Sequence, residues 1–160
     1  MPKTLVLFQG SGDDVAAMAE AVAEGVRSVR FAEVEVRQLT DAGAPVAGRT
    51  RPLAGVEELA SHDGLVLVTN GADAQTPSAV TQILADARAL RRQGSLTLSV
   101  GAAFVAGGSG EDGCWALLRS LGEVGVVLVP PGPDGSDARK LGHRVAHVVS
   151  WITHARSHHH

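Results

Sequence analysis

Apolar residues along the chain form two continuous runs, at residues 4–8 and 65–68, and each run stops at a glycine-containing or polar turn. Residues 96–104, which include Thr97 and Ser99, are a third largely apolar segment that ends before a glycine-dense loop. A run without polar alternation is typical of a strand that helices cover on both faces. The pattern therefore predicts three central strands of a parallel sheet.

The segments between these runs have other periods. Apolar residues from Val15 to Val26 recur at i, i+3, i+4, i+7 and i+11, the spacing of one helix face. A second helix is predicted to begin at residue 76 or 78, with Arg88, Arg91 and Arg92 on its outer side. Two more helices are predicted over 111–122 and 136–154. Residues 32–38 alternate between apolar and charged, which predicts a half-solvated edge strand. Residues 126–129 are predicted to form a fifth strand.

Five strands that alternate with helices predict an α/β fold with a parallel sheet and helices on both faces. Because the alternating strand is second in sequence and belongs at an edge, strand order 2-1-3-4-5 is favoured, the flavodoxin-like doubly wound arrangement. Ligands of such sheets bind at the carboxyl ends of the strands, so we expect a crevice between loops 9–14, 69–77 and 101–110. A single domain is expected over 1–155, with an expression tag at 156–160.

Composition and charge exclude several classes of partner. The chain has 160 residues, and 14 basic against 17 acidic side chains leave a net charge of -3. Neither nucleic acid nor a membrane is therefore an expected partner. The single cysteine, Cys114, favours a cytoplasmic protein without a disulfide framework, and no signal peptide is expected. His143 and His147 have the spacing of a metal-binding pair, but they lie opposite the apolar face of the last helix. A solvated histidine stripe, with no metal, is expected there.

The first turn, from Gln9 to Asp14, has two interpretations. A glycine-rich turn between a strand and a helix presents unpaired backbone N–H groups and a partial positive charge, which together bind an anion. Alternatively, Asp13 or Asp14 accepts these N–H groups as the helix N-cap. The residue pattern leaves both interpretations open.

Beyond the fold, the chain resembles the FMN-binding flavodoxin-like NAD(P)H:quinone oxidoreductases of the WrbA type. The resemblance lies in residues 3–7, 18–25 and 58–63, in the spacing from 69 to 84, in the Gly107 and Gly108 loop, and in the closing strand at 126–130. It implies non-covalent FMN and transfer of two electrons from a nicotinamide to a quinone. Enzymes of this type form tetramers through inserted segments. The corresponding segment here, residues 131–137, is short, so a homo-oligomer is possible but the tetramer is not assumed.

The resemblance also implies which residues hold the cofactor. The phosphate is assigned to the first loop, the edge of the flavin ring to the second, and the other side of the ring to the third. These residues are Gln9, Gly10, Ser11, Gly12, Asp13 and Asp14; Thr69, Asn70, Gly71 and Gln75; and Ala102, Gly107 and Gly108. No catalytic side chain is assigned.

The phosphate loop departs from the family pattern. Where the family carries a hydroxyl, a glycine and a threonine, this chain has Gly10, Asp13 and Ala17. A carboxylate about 6 Å from a phosphate charge costs roughly 3 kcal/mol at an effective dielectric near 20, against about 0.3 to 1 kcal/mol from the helix terminus. A cofactor-free binding or assembly module of the same fold is therefore the alternative function.

Response-regulator receiver domains are a third, less favoured interpretation. They carry paired acidic residues after the first strand to hold magnesium, and Asp13 and Asp14 fit that position. The third strand, however, ends in Thr69 and Asn70 without an acceptor carboxylate, and no lysine closes the fifth strand before Pro130.

Overall fold

The computed structural model describes residues 1–10, 13–39, 52–53, 55–70, 78–106, 111–131 and 137–158. The elements are β1 Lys3–Gln9, α1 Asp13–Arg27, β2 Glu33–Gln38, a 3-10 helix Val56–Ser61, β3 Gly64–Asn70, α2 Ser78–Arg92, β4 Val100–Ala106, α3 Glu111–Val124, β5 Val127–Val129 and α4 Ala138–Ser157.

The five strands form one parallel sheet in the order β2-β1-β3-β4-β5. The predicted fold class and strand order are therefore confirmed. The start predicted for α2 at residue 76 lies outside the described residues.

Two apolar clusters explain why the central strands lack alternation. Side chains of β1 and β3 point alternately into one cluster and the other. The first cluster contains Leu5, Leu7, Leu65 and Leu67 with Val80, Leu84, Leu117 and Leu121 of α2 and α3. The second contains Val6, Phe8, Val66 and Val68 with Val15, Val22, Leu141 and Val145 of α1 and α4. Both faces of these strands are buried, and the helices lie on both sides of the sheet as predicted.

The two edges of the sheet differ. β2 is partly exposed along most of its length, and its strand ladder is formed with β1, in line with the predicted edge strand. β5 has three residues and pairs with Val100, Gly101 and Ala102 of β4. Among the described helices, none is long and apolar enough to cross a membrane.

The fourth strand begins later than the apolar run that predicts it. Leu96 and Leu98 are buried, yet β4 starts only at Val100. The guanidinium of Arg91 donates to the carbonyl oxygens of both leucines, so these acceptors are used by a side chain before the ladder starts. The expectation that Arg91 lies on the outer side of α2 is wrong, because its side chain points to these carbonyls.

Candidate functional site

The carboxyl ends of three strands and the start of one helix meet at one edge of the sheet. Gln9, near the end of β1, is in register with Thr69 of β3, and Asn70 at the end of β3 is in register with Ala106 of β4. The next element after β1 is α1, which begins at Asp13. Thr69 is buried. The structure thus brings the bases of all three expected loops to one edge.

The chain leaves β1 through a backbone conformation that favours glycine. Gly10 has φ 137°, a region that L-amino acids with a side chain almost never adopt. A glycine here lets the chain turn away from the strand within a few residues of the start of α1. Glycine at position 10 is therefore a requirement of the backbone.

Gln38 is a residue of this edge that the sequence interpretation missed. It ends β2, is 3% exposed, and its Nε2 donates to the carbonyl oxygen of Gly10 at 3.4 Å. The signal was available, because a polar residue at the carboxyl end of a parallel strand lies at the same edge as the ends of its neighbours. Gln38 therefore links the β2 end to the first turn.

Residues 52–53 pair with the end of β2 and extend the sheet at this edge. Leu39 donates its backbone N–H to the carbonyl oxygen of Phe8 at 2.8 Å, and Leu53 donates to that of Gln38 at 2.9 Å. Pro52 pairs with Gln38 in a parallel bridge. The edge strand is thus covered at the end where the candidate site lies.

The N-terminus of α1 provides the electrostatics of the site. A helix of 15 residues presents unpaired N–H groups in its first turn and about half a positive charge. Asp14, its second residue, is exposed. In water-like surroundings, the repulsion between the Asp14 carboxylate and one anionic charge about 6 Å away is only about 0.7 kcal/mol. This is similar in size to the attraction that the helix terminus contributes. The exposure of Asp14 therefore weakens its opposition to a bound anion.

The other expected site residues are distributed as follows. Ala102 lies inside β4, buried and in register with Val66 and Val129, four residues before the strand ends. The structure does not bring it to the carboxyl edge. Six expected residues lie outside the described part of the chain: Ser11, Gly12, Gly71, Gln75, Gly107 and Gly108.

The described groups at this edge offer positioning and no evident chemistry of their own. Among the residues that the structure describes, no three His, Cys, Asp or Glu side chains are placed to hold a metal ion. Cys114 of α3 packs towards β4, with Sγ 3.6 Å from the carbonyl oxygen of Ala103, and burial raises the pKa of its thiol. A protonated, buried thiol is a poor nucleophile. The arrangement is suited to hold an anionic ligand that brings its own reactivity.

Comparison with known proteins agrees with this architecture. No protein-family model matches the chain. A protein named NAD(P)H dehydrogenase (quinone) from Rhodopseudomonas palustris is 29% identical over 141 residues, which is 81% of this chain and 70% of that protein. One of the same name from Bradyrhizobium sp. is 29% identical over 140 residues, with the same shares.

Solved structures show the same fold at lower identity. The flavodoxin, WrbA-like protein from Agrobacterium tumefaciens superimposes with a TM-score of 0.65 at 20% identity, covering 94% of this chain and 99% of that one. A flavodoxin from the domain Archaea gives a TM-score of 0.62 at 15% identity, with 92% and 99% covered. The fold is flavodoxin-like.

Proposed function

Since the chain is a flavodoxin-like protein related in sequence to proteins named NAD(P)H dehydrogenase (quinone), we propose that it binds FMN and passes electrons from a nicotinamide to a quinone. The observation that carries the proposal is the junction of β1 and α1. There a glycine at φ 137° leads to a helix N-terminus beside the aligned ends of the central strands.

The described residues fit such a ligand. A phosphate in the first turn would receive N–H groups from the start of α1, which need no basic side chain to bind an anion. Residues from Gln9 to Asp14 are proposed to take this role. Gln38, which donates to the Gly10 carbonyl at 3.4 Å, would hold the turn in place.

The other two loops are proposed to surround the ring. Thr69, Asn70, Gly71 and Gln75 would face its edge, with Gly107 and Gly108 on the other side. A flavin held there would supply the redox chemistry, a transfer of two electrons from NAD(P)H to a quinone, which takes up two protons and becomes a hydroquinone. The protein would contribute binding, orientation and exclusion of water.

Titration of the purified protein with FMN, followed by flavin fluorescence, tests the binding step. We expect saturable binding by the wild type. The Asp14→Asn variant should bind FMN about threefold more tightly than the wild type for each negative charge on the phosphate. Each such charge contributes about 0.7 kcal/mol of repulsion with Asp14, which the variant removes. The gain should shrink at high salt, since exposed charges are screened.

Glu57→Gln is the matched control. Glu57 is also exposed but lies in the 3-10 helix before β3, at the amino end of that strand. The variant changes the net charge by the same amount, so its FMN affinity should equal that of the wild type. If neither the wild type nor Asp14→Asn binds FMN, the proposal is wrong and the cofactor-free module is the better description.

Turnover tests the electron-transfer step separately. FMN-loaded protein should oxidise NAD(P)H with benzoquinone as acceptor faster than free FMN at the same concentration. If the protein binds FMN but does not accelerate NAD(P)H oxidation, the proposed FMN site is supported and the proposed quinone reductase activity is wrong.

A further inference from the structure

Two histidines one turn apart on α4 face each other at its surface. The Nε2 atoms of His143 and His147 are 3.1 Å apart, and their rings meet edge to face with centroids 4.5 Å apart. Spacing of i, i+4 places two side chains on the same helix face. The spacing alone is also found in solvated surface stripes, so a second observation is needed.

That observation is a serine directly after α1 that fixes the tautomer of one ring. The Ser28 hydroxyl lies 2.6 Å from the carbonyl oxygen of Gly25 and 2.7 Å from Nδ1 of His143. A carbonyl cannot donate, so the single hydroxyl proton goes to Gly25, and Ser28 accepts from His143. Nδ1 of His143 therefore carries the proton, and the lone pair of its Nε2 accepts a hydrogen bond from Nε2–H of His147. A metal ion bound between the two rings would displace that His147 proton.

This is the arrangement of a metal-ligating histidine. Such a histidine binds the metal through one nitrogen and donates its other ring N–H to a neighbouring acceptor, which orients the ring. With metal–nitrogen distances of about 2.0 to 2.1 Å, nitrogens 3.1 Å apart subtend an angle of about 100° at the metal. That value lies between the square or octahedral angle and the tetrahedral one.

We propose that His143 and His147 form a two-ligand site for a divalent late transition metal ion, with Cu²⁺ the most tightly bound. Imidazole nitrogens suit copper, nickel and zinc, and copper heads the stability order of divalent ions. Elsewhere in the described chain no third His, Cys, Asp or Glu completes such a group. The remaining coordination positions belong to water or to a small ligand.

Positive charge near the two histidines is balanced in part, and the exposed Arg144, one turn before His147, adds to it. The two cationic residues one turn before His143 are each ion-paired: Arg139 with Glu24 of α1, and Lys140 with Asp137 at 3.8 Å. Their positive charges are therefore partly balanced by neighbouring carboxylates.

Trp151 provides a reporter for this site. It is 68% exposed, and its ring centroid lies 6.0 Å from that of His147. A paramagnetic Cu²⁺ bound at this distance quenches tryptophan fluorescence. The test uses the full chain with Trp115→Phe, which leaves Trp151 as the only tryptophan. It also carries His158→Asn, His159→Asn and His160→Asn, because His158 faces His154 with Nε2 atoms 2.9 Å apart.

Titration of this protein with CuCl₂ should quench Trp151 saturably at one equivalent. His143→Asn or His147→Asn should abolish that phase, and Ser28→Ala should weaken Cu²⁺ binding about tenfold, as loss of an orienting partner does. His154→Asn is the matched control, three residues after Trp151 on the same helix, and should leave the titration unchanged. Electron paramagnetic resonance of the protein with both histidines should show two nitrogen ligands.

Quenching that persists in His143→Asn and His147→Asn would overturn the site, as would a signal with one nitrogen in the unmodified pair. Wild-type affinity in Ser28→Ala would overturn the assigned role of Ser28. Circular dichroism of each variant confirms that a lost signal is not lost folding.

Discussion

A Cβ atom on Gly142 of α4 would lie 2.0 Å from the carbonyl oxygen of Val22 in α1. The reverse contact is equally close, since a Cβ on Gly25 of α1 would lie 1.9 Å from the carbonyl oxygen of Arg139. Each helix thus presents a glycine to the backbone of the other. The two helices approach so closely that neither position admits a side chain without movement of the backbone.

Gly142→Ala should therefore destabilise the fold by about 3 kcal/mol or more, because backbone atoms cannot give way as a flexible side chain can. Urea denaturation followed by circular dichroism measures this. The control is Gly122→Ala in α3, where the nearest heavy atom to the new Cβ is 3.5 Å away. That variant should gain about 0.5 to 1 kcal/mol from helix propensity. A similar effect of both substitutions would contradict the close helix contact.

Gly10→Asn and Gly94→Asn should differ although both glycines have positive φ. Gly94 has φ 73° with nothing within 4 Å of a new Cβ, and asparagine tolerates this left-handed region well. Gly10 has φ 137°, which no side-chain-bearing residue adopts readily, so its substitution should cost about 1 to 3 kcal/mol. Thermal unfolding of the two variants measures the difference, and equal losses would contradict the Gly10 conformation.

The conformation of Gly10 also limits which residues the first loop accepts. A serine at position 10, which would restore the hydroxyl of WrbA-type proteins, should be strained in this backbone. We therefore expect Gly10→Ser to lose stability without a gain in FMN affinity.

Arg91→Met should lower the free energy of unfolding by about 2 to 3 kcal/mol. The guanidinium donates to three carbonyl oxygens, those of Val124 at 3.1 Å, Leu96 at 3.3 Å and Leu98. Methionine keeps part of the stem but leaves these acceptors without their charged donor. Arg92→Met, at the next and exposed position, should stay within about 0.5 kcal/mol of the wild type. Equal losses in the two variants would contradict the role of Arg91 as a bridge between α2, α3 and the start of β4.

Cys114 should make stability fall at high pH. Burial raises the pKa of its thiol above the ordinary value of 9.0, so the unfolded chain releases this proton first as the pH rises. Ionisation then favours the unfolded state, and the free energy of unfolding falls above about pH 9. Urea denaturation across this range, compared with Cys114→Ala, isolates the effect. An identical pH dependence in the variant would show that other groups cause the loss.

Thiol labelling gives an independent check of that burial. At about pH 8 a disulfide reagent should react much more slowly with the folded protein than with the urea-unfolded chain, because the attacking species is the thiolate. Equal rates would mean that Cys114 is accessible.

Most of the architecture could be read from local patterns. Continuous apolar runs at β1 and β3 identified strands buried on both faces, and the alternation of β2 placed it at an edge, which in turn led to the strand order. These inferences succeed because each kind of burial has its own sequence pattern. A strand with one buried face alternates between apolar and polar residues, and a strand with two buried faces is apolar throughout. The meeting of the strand ends at Gln9 and Thr69 follows from the same topology.

The strands and helices, their order in the sheet and the edge at which the candidate site lies thus follow from patterns within the sequence. Four contacts emerge only in the folded chain: Gly25 and Gly142 each touch the opposite helix, Arg91 donates to the carbonyls before β4, Gln38 donates to Gly10, and Ser28 orients His143. The physical reason is that these contacts join residues far apart in sequence. A periodic pattern shows which face of an element is buried, whereas the partner atom on the other element depends on how closely two backbones approach.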